Sequence, residues 1–117
     1  MVAIPLTVVE VEPFAALAKG VWSEAERAEF VDYIARNPLT GTVIQGAGGI
    51  RKVRWSRAGT GKRGGVRVIY FYHSMGMPIF LLTIYAKSVA DNLTAAQKKT
   101  MARLADILVA RYGRSEA

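Results

Sequence analysis

Three strand-like runs follow one another with very little chain between them: Ile50 to Ser56, Val66 to His73 and Ile79 to Tyr85. Their connections are RAGTGKRGG and SMGMP. Parallel neighbours need a crossover of a dozen or more residues, whereas antiparallel ones are joined by short turns. The spacing therefore predicts two successive antiparallel hairpins. Around them, Ile4 to Val11 is rich in Val, Ile and Thr and reads as a first strand. Pro13 to Gly20 has proline near the first turn of a short helix and glycine as its stop. Ser23 with Glu26 forms a capping-box pattern, and Ala28, Val31 and Ala35, with Phe30 and Ile34 beside them, carry a helix to Arg36. Asn37-Pro38 ends it, because proline cannot extend the hydrogen-bond ladder and restricts the residue before it. GTVIQGAGG reads as a loop punctuated by Gly46, Gly48 and Gly49. Thr94 with Gln97 is a second capping box, and Met101, Leu104, Ala105, Leu108, Val109 and Tyr112 mark one face of a final helix that stops at Gly113. The expected architecture is α+β, in the order β-α-α-β-β-β-α, a small mostly antiparallel sheet with helices packed on one face. At 117 residues, 51% of them hydrophobic, residues 1–117 are expected to form a single domain.

Charge is segregated along this frame. Residues 1–32 hold six acids and two bases, a net −4, while 33–90 hold nine bases and no acid. Those nine are Arg36, Arg51, Lys52, Arg54, Arg57, Lys62, Arg63, Arg67 and Lys87. Seven of them fall between 51 and 67, so like charges crowd a short segment that has no local counter-ion. A solvated basic face is the simplest account of scattered charge, but this density points to an external polyanion.

Strand alternation sorts the bases. Residues two apart share a face, which puts Lys52 with Arg54 and turns Val53 and Trp55 towards the core. Arg67 shares a face with Ile69 and Phe71, opposite Val66, Val68 and Tyr70. On the last strand Thr83, Tyr85 and Lys87 are expected on one face and Phe80, Leu82 and Ile84 on the other. If these faces align across the hairpins, Lys52, Arg54, Arg67, Tyr85 and Lys87 converge. Cations with a tyrosine suit a phosphate backbone and an unstacked base.

Other chemistries are weaker. Gly59-Thr60-Gly61-Lys62-Arg63-Gly64 spells GxGxxG, but a strand, not a helix, is expected after it, so it reads as a basic hairpin loop. The P-loop spacing fails, since Lys62 is followed by Arg63. The absence of cysteine excludes a disulfide framework, a thiol nucleophile and any Cys-ligated metal site, and a single histidine, His73, argues against a His-rich metal site and excludes any mechanism needing two imidazoles. His73 precedes a turn, where histidine is commonplace, and Trp22, Trp55 and most tyrosines read as packing residues. No cofactor or metal is expected. The longest apolar run, Ile79 to Ala86, is too short to span a bilayer, and MVAIPLTVVEVEP has no basic n-region of a signal peptide, so a cytoplasmic protein is expected.

The run GGIRKVRWSRAGTGKRGGVRVIYFY, followed by IFLLTIYAKSVADNLTAAQKK, resembles the RelE/ParE superfamily of bacterial toxin–antitoxin toxins, closest to its HigB branch. The similarity is strong over 43–100 and extends as element order to the N-terminal helices. It implies a RelE-like toxin that enters the ribosomal A site and cuts mRNA there at a basic, metal-free site. It further implies the 70S ribosome with its rRNA, mRNA and a cognate antitoxin as partners, and no membrane. By motif position Lys52 and Arg54 match the paired bases of the first hairpin strand, Arg67 the arginine of the next, and Lys87 a later basic residue. Arg51, Arg57, Lys62 and Arg63 are the expected RNA-binding periphery. Where some relatives carry a tyrosine near the final segment this chain reads Asp91-Asn92-Leu93, which leaves Tyr85 as the tyrosine of the site.

A metal-free ribonuclease makes the RNA attack itself. The 2′-OH loses a proton and displaces the 5′-oxygen from the adjacent phosphorus, which needs a base, an acid and cationic stabilisation of the transition state. Arg67 is the candidate for holding the phosphate, since guanidinium binds oxyanions in a bidentate fork. Lys52 is the candidate base, and Tyr85 or Lys87 the acid. Two alternatives stay open at this point: a ParE-like inhibitor of DNA gyrase, which shares the fold, and a non-catalytic RNA- or ribosome-binding module.

Overall fold

The computed structural model describes residues 5–56, 65–86 and 92–113. The expected site residues Arg57, Lys62, Arg63 and Lys87 lie outside these segments, as does the glycine-rich loop that carries the first three. The described elements run β1 (Val8–Glu10), α1 (Phe14–Lys19), α2 (Glu24–Arg36), β2 (Thr42–Val43), β3 (Ile50–Trp55), β4 (Val66–Phe71), β5 (Ile79–Ala86) and α3 (Ala95–Tyr112). They build a five-stranded sheet of order β1-β5-β4-β3-β2. The two expected hairpins are present: β3 pairs antiparallel with β4, and β4 with β5. β1 lies parallel to β5 at the far edge. The class is α+β and the sheet mostly antiparallel, as the sequence indicates.

Both capping boxes form. Ser23 accepts from the Glu26 N–H while Glu26 accepts from the Ser23 N–H, and Thr94 and Gln97 do the same at the start of α3. α2 ends on Asn37, whose side-chain amide donates to the Tyr33 carbonyl at 2.9 Å.

Three expectations are corrected. The helices do not share one face: α1 and α2 cover one side of the sheet and α3 the other. Phe14, Trp22, Phe30 and Ile34 pack with Val53, Val66, Val68, Tyr70, Leu81 and Ile84. Ala105 and Leu108 of α3 pack with Ile50, Ile69, Phe71, Phe80 and Leu82. The cause is β4, whose six residues are all buried and apolar on both sides apart from Arg67, so a single helical layer leaves one side wet. The second correction is β2, where a loop is expected: Thr42 and Val43 pair antiparallel with Lys52 and Arg51. Two residues among glycines carry no alternation to read. The third concerns β5. A register shift between Ile69 and Tyr70 places Leu82 beside Thr83 without a partner of its own, so Phe80 and Leu82 join the α3 side while Leu81 and Ile84 take the other. The uninterrupted apolar run conceals that bulge.

The turn from β2 to β3 explains one glycine in particular. Gly48 has φ 68° and its absent Cβ would stand 3.0 Å from the Ala102 Cα, so both conformation and contact with α3 require glycine.

Candidate active site

Register answers the question alternation leaves open. Arg54 is the direct partner of Arg67, and Arg67 of Tyr85, so these three side chains form one row across β3, β4 and β5. The next row on the same face is Thr42, Lys52, Ile69 and Thr83. Beyond it lie Ile50, Phe71 and Phe80, under the apolar stripe of α3. The polar rows thus occupy the end of the face where β3 and β5 finish and β4 begins, opposite to the end the α3 core fills.

The row is graded in exposure. Arg54 is exposed, Tyr85 half-buried, and Arg67 only 2% exposed, the one buried charged residue among those described. The Arg67 Nη1 lies alongside Gly65, where a Cβ would be 3.7 Å from it. Two arginines directly opposite one another start from Cβ atoms about 5 Å apart, so both guanidinium groups belong to one row on which an oxyanion can be met by two cations. Lys52 donates from Nζ to the Asn92 Oδ1 at 2.9 Å, which ties β3 to the segment entering α3. Asn92 lies forty residues from Lys52, and no sequence signal marks it as a partner.

Arg51 points the other way, as its odd position on β3 dictates. Its Nη1 donates to the Gly41 carbonyl at 2.7 Å and towards the Leu39 carbonyl at 3.5 Å. Beside it the Tyr70 hydroxyl, fully buried, donates to the Pro38 carbonyl at 2.7 Å and accepts from the Gly41 N–H at 2.8 Å. Burial raises the Tyr70 pKa above its ordinary value, against the lowering effect of the Gly41 hydrogen bond and of Arg51. Arg51 and Tyr70 thus pin the chain that leads into β2, on the side away from the row.

His73 follows the far end of β4, six residues from Arg67, about 20 Å along an extended strand. It is exposed, with its ring 6.2 Å from that of Phe71, and lines a groove of 490 Å³ against Ala105, Asp106 and Val109 of α3. It takes no part in the row. Among the described residues no group of three or more His, Asp or Glu stands where it can hold a metal ion, and no helix is long and apolar enough to cross a membrane.

Three acids of the N-terminal segment are used locally: Arg27 pairs with Glu10 and Glu24, and Arg36 with Asp32. The hydrogen bond to Glu10 is the largest influence on Arg27 and raises its pKa further. The Lys52, Arg54, Arg67 and Tyr85 face therefore lies at a distance in sequence from every one of these pairs.

Set beside known families, residues 22–115 match the model of the RelE toxin of the RelE / RelB toxin-antitoxin system. The matched span takes in α2, all of β2 to β5 with both polar rows, and α3. A match over most of the chain shows the family, and a toxin of this family has a cognate antitoxin as its partner. The chain belongs to the RelE toxin family and is the toxin of a toxin–antitoxin system.

Proposed function

We propose that this toxin is a ribosome-dependent mRNA endonuclease of the cytoplasm, near the HigB branch of the family, and that it stops translation by cutting RNA through its own 2′-OH. The observation that carries the reading is the Arg54–Arg67–Tyr85 row with Lys52 in the row beside it. The phosphate contact expected of Arg67 passes to Arg54, because Arg67 is only 2% exposed while Arg54 is exposed; Arg67 beside it supplies a fixed positive charge that needs no reorganisation as charge builds on phosphorus. Lys52 and Tyr85 flank the pair and are the groups for proton transfer, one from the 2′-OH and one to the departing 5′-oxygen. The new bond joins the 2′-oxygen to phosphorus and the broken one is phosphorus to the 5′-oxygen. Lys87 and the bases Arg57, Lys62 and Arg63, which lie outside the described residues, are assigned to contact with mRNA and rRNA on their charge and on the resemblance of the sequence that carries them.

General acid–base help is worth about 10² to 10⁴-fold. A site without a neutral-pH base such as histidine therefore leans on orientation, which the ribosome supplies by holding the mRNA. The test is to add purified toxin to a defined mRNA, with and without translating ribosomes, and map new 5′ ends by primer extension, with Arg67→Ala in parallel. Cuts that need ribosomes and vanish in the variant are expected. Intact mRNA under both conditions refutes the reading and leaves gyrase poisoning or plain RNA binding.

A further inference from the structure

The second polar row ends in a cavity. Thr42, Val43 and Ile44 of the β2 segment, Lys52 of β3, and Asn92, Leu93 and Lys98 at the start of α3 enclose 160 Å³. Lys52 belongs to both places: it lines this cavity and stands two residues along β3 from Arg54. That step is about 6.8 Å, on the order of the separation of successive phosphates in an extended RNA chain. A chain whose scissile phosphate rests on Arg54 thus delivers its neighbouring nucleotide to the mouth of the cavity.

The lining fits one such unit. Lys98 brings a positive charge to the opening beside Lys52, and Val43, Ile44 and Leu93 give apolar walls for a ring. Val43 is 49% exposed, although it is a large apolar side chain in a strand. The Asn92 Oδ1 is engaged by the Lys52 Nζ, so the group this amide has left to offer a base edge is its Nδ2 donor. Thr42, the strand partner of Lys52, adds a hydroxyl that donates or accepts. Apolar walls with one amide and one hydroxyl make a pocket that discriminates between bases, whereas a patch of lysines alone does not.

Resting on the nuclease reading above, we propose that this cavity is the subsite for the nucleotide next to the cut, with Lys98 on its phosphate and Asn92 and Thr42 on its base. Asn92 sets which base is accepted there; Lys98 sets affinity without regard to sequence. Both side chains lie at the surface, Asn92 exposed and Lys98 partly so, and the hydrogen bond of Asn92 is that from Lys52.

The test uses the whole toxin and RNA trinucleotides that carry each of the four bases at the flanking position, with 2′-O-methyl groups to block cleavage. Binding is read by fluorescence anisotropy at several salt concentrations for wild type, Asn92→Ala and Lys98→Ala. Wild type is expected to separate the best from the worst base by roughly 5-fold or more. Asn92→Ala is expected to flatten that preference. Lys98→Ala is expected to weaken all four about equally and to reduce the log–log salt slope by about 0.7, the loss of one phosphate contact on a single strand. Equal binding of all four bases by wild type, or an unchanged salt slope in Lys98→Ala, overturns the subsite. The two readings separate: ribosome-dependent cuts with equal binding of all four bases remove the subsite alone, whereas intact mRNA in the presence of ribosomes removes the nuclease reading and, with it, the place of this subsite next to a cut.

Discussion

Replacing Tyr70 by phenylalanine removes a single oxygen from the middle of β4 and strands two backbone groups. The hydroxyl donates to the Pro38 carbonyl and accepts from the Gly41 N–H, and all three residues are buried. Water cannot replace the lost partner without opening the packing of α2 on the sheet. Each buried group left without a partner costs about 1–3 kcal/mol, so a loss of about 3 kcal/mol is expected for the pair. In a chain of 117 residues that lowers Tm by about 10 °C. Urea unfolding followed by tryptophan fluorescence measures it directly, because Trp22 lies within the cluster that Tyr70 belongs to and Trp55 packs against it. The midpoint is expected to fall with an unchanged slope. A change below about 0.5 kcal/mol refutes the claim that this hydroxyl is the tie between the Pro38–Gly41 segment and the sheet.

The same tyrosine gives a pH prediction. Its folded pKa is raised, so the stability it contributes is complete below about pH 10 and is lost as pH climbs from there through the folded value, while Tyr70→Phe shows a shallower decline over that range in urea titrations. Gly41→Ala places a Cβ 2.7 Å from the Tyr70 ring and 2.9 Å from the Lys52 carbonyl; the backbone atom cannot give way, and destabilisation of about 1–3 kcal/mol is expected by the same urea assay. Ser23→Ala removes the capping box of α2 at a cost of about 1 kcal/mol in thermal melts. Within the site, Arg54→Ala is expected to reduce the single-turnover cleavage rate by 10²-fold or more with Tm unchanged within a few degrees, because Arg54 is exposed; a rate within threefold of wild type removes it from the phosphate.

How far the chain discloses itself depends on which physical signal each element carries. α2 and α3 are legible because their caps are chemical: Ser23 with Glu26 and Thr94 with Gln97 name the first turn outright. The two hairpins are legible from connection length. β1 is visible as a strand, but nothing in Val8–Glu10 says that it lies parallel to β5, since that pairing joins residues as far apart in sequence as Val8 and Ile79. The two-sided cover of the sheet was present in VRVIYF, whose odd and even positions are apolar alike except at Arg67. The site followed the alternation rule where the strands are regular. Lys52, Arg54 and Arg67 fall on one face because β3 and β4 pair without interruption, and Tyr85 joins them because the bulge lies before it. Depth and long-range partners were not legible. The burial of Arg67 comes from its central strand, and the bond from Lys52 to Asn92 from a contact across the sheet.

The central claim is that the Arg54–Arg67–Tyr85 row serves an attack by RNA on itself, and the chemistry of the cut end tests it most directly. Ribosome-bound mRNA is cleaved by the toxin and the mass of the new 3′ end is measured. Attack by the 2′-OH leaves a 2′,3′-cyclic phosphate there and a 5′-OH on the downstream fragment, the result predicted here. A free 3′-OH with a 5′-phosphate downstream means that water, not the ribose, attacked phosphorus, and contradicts the account.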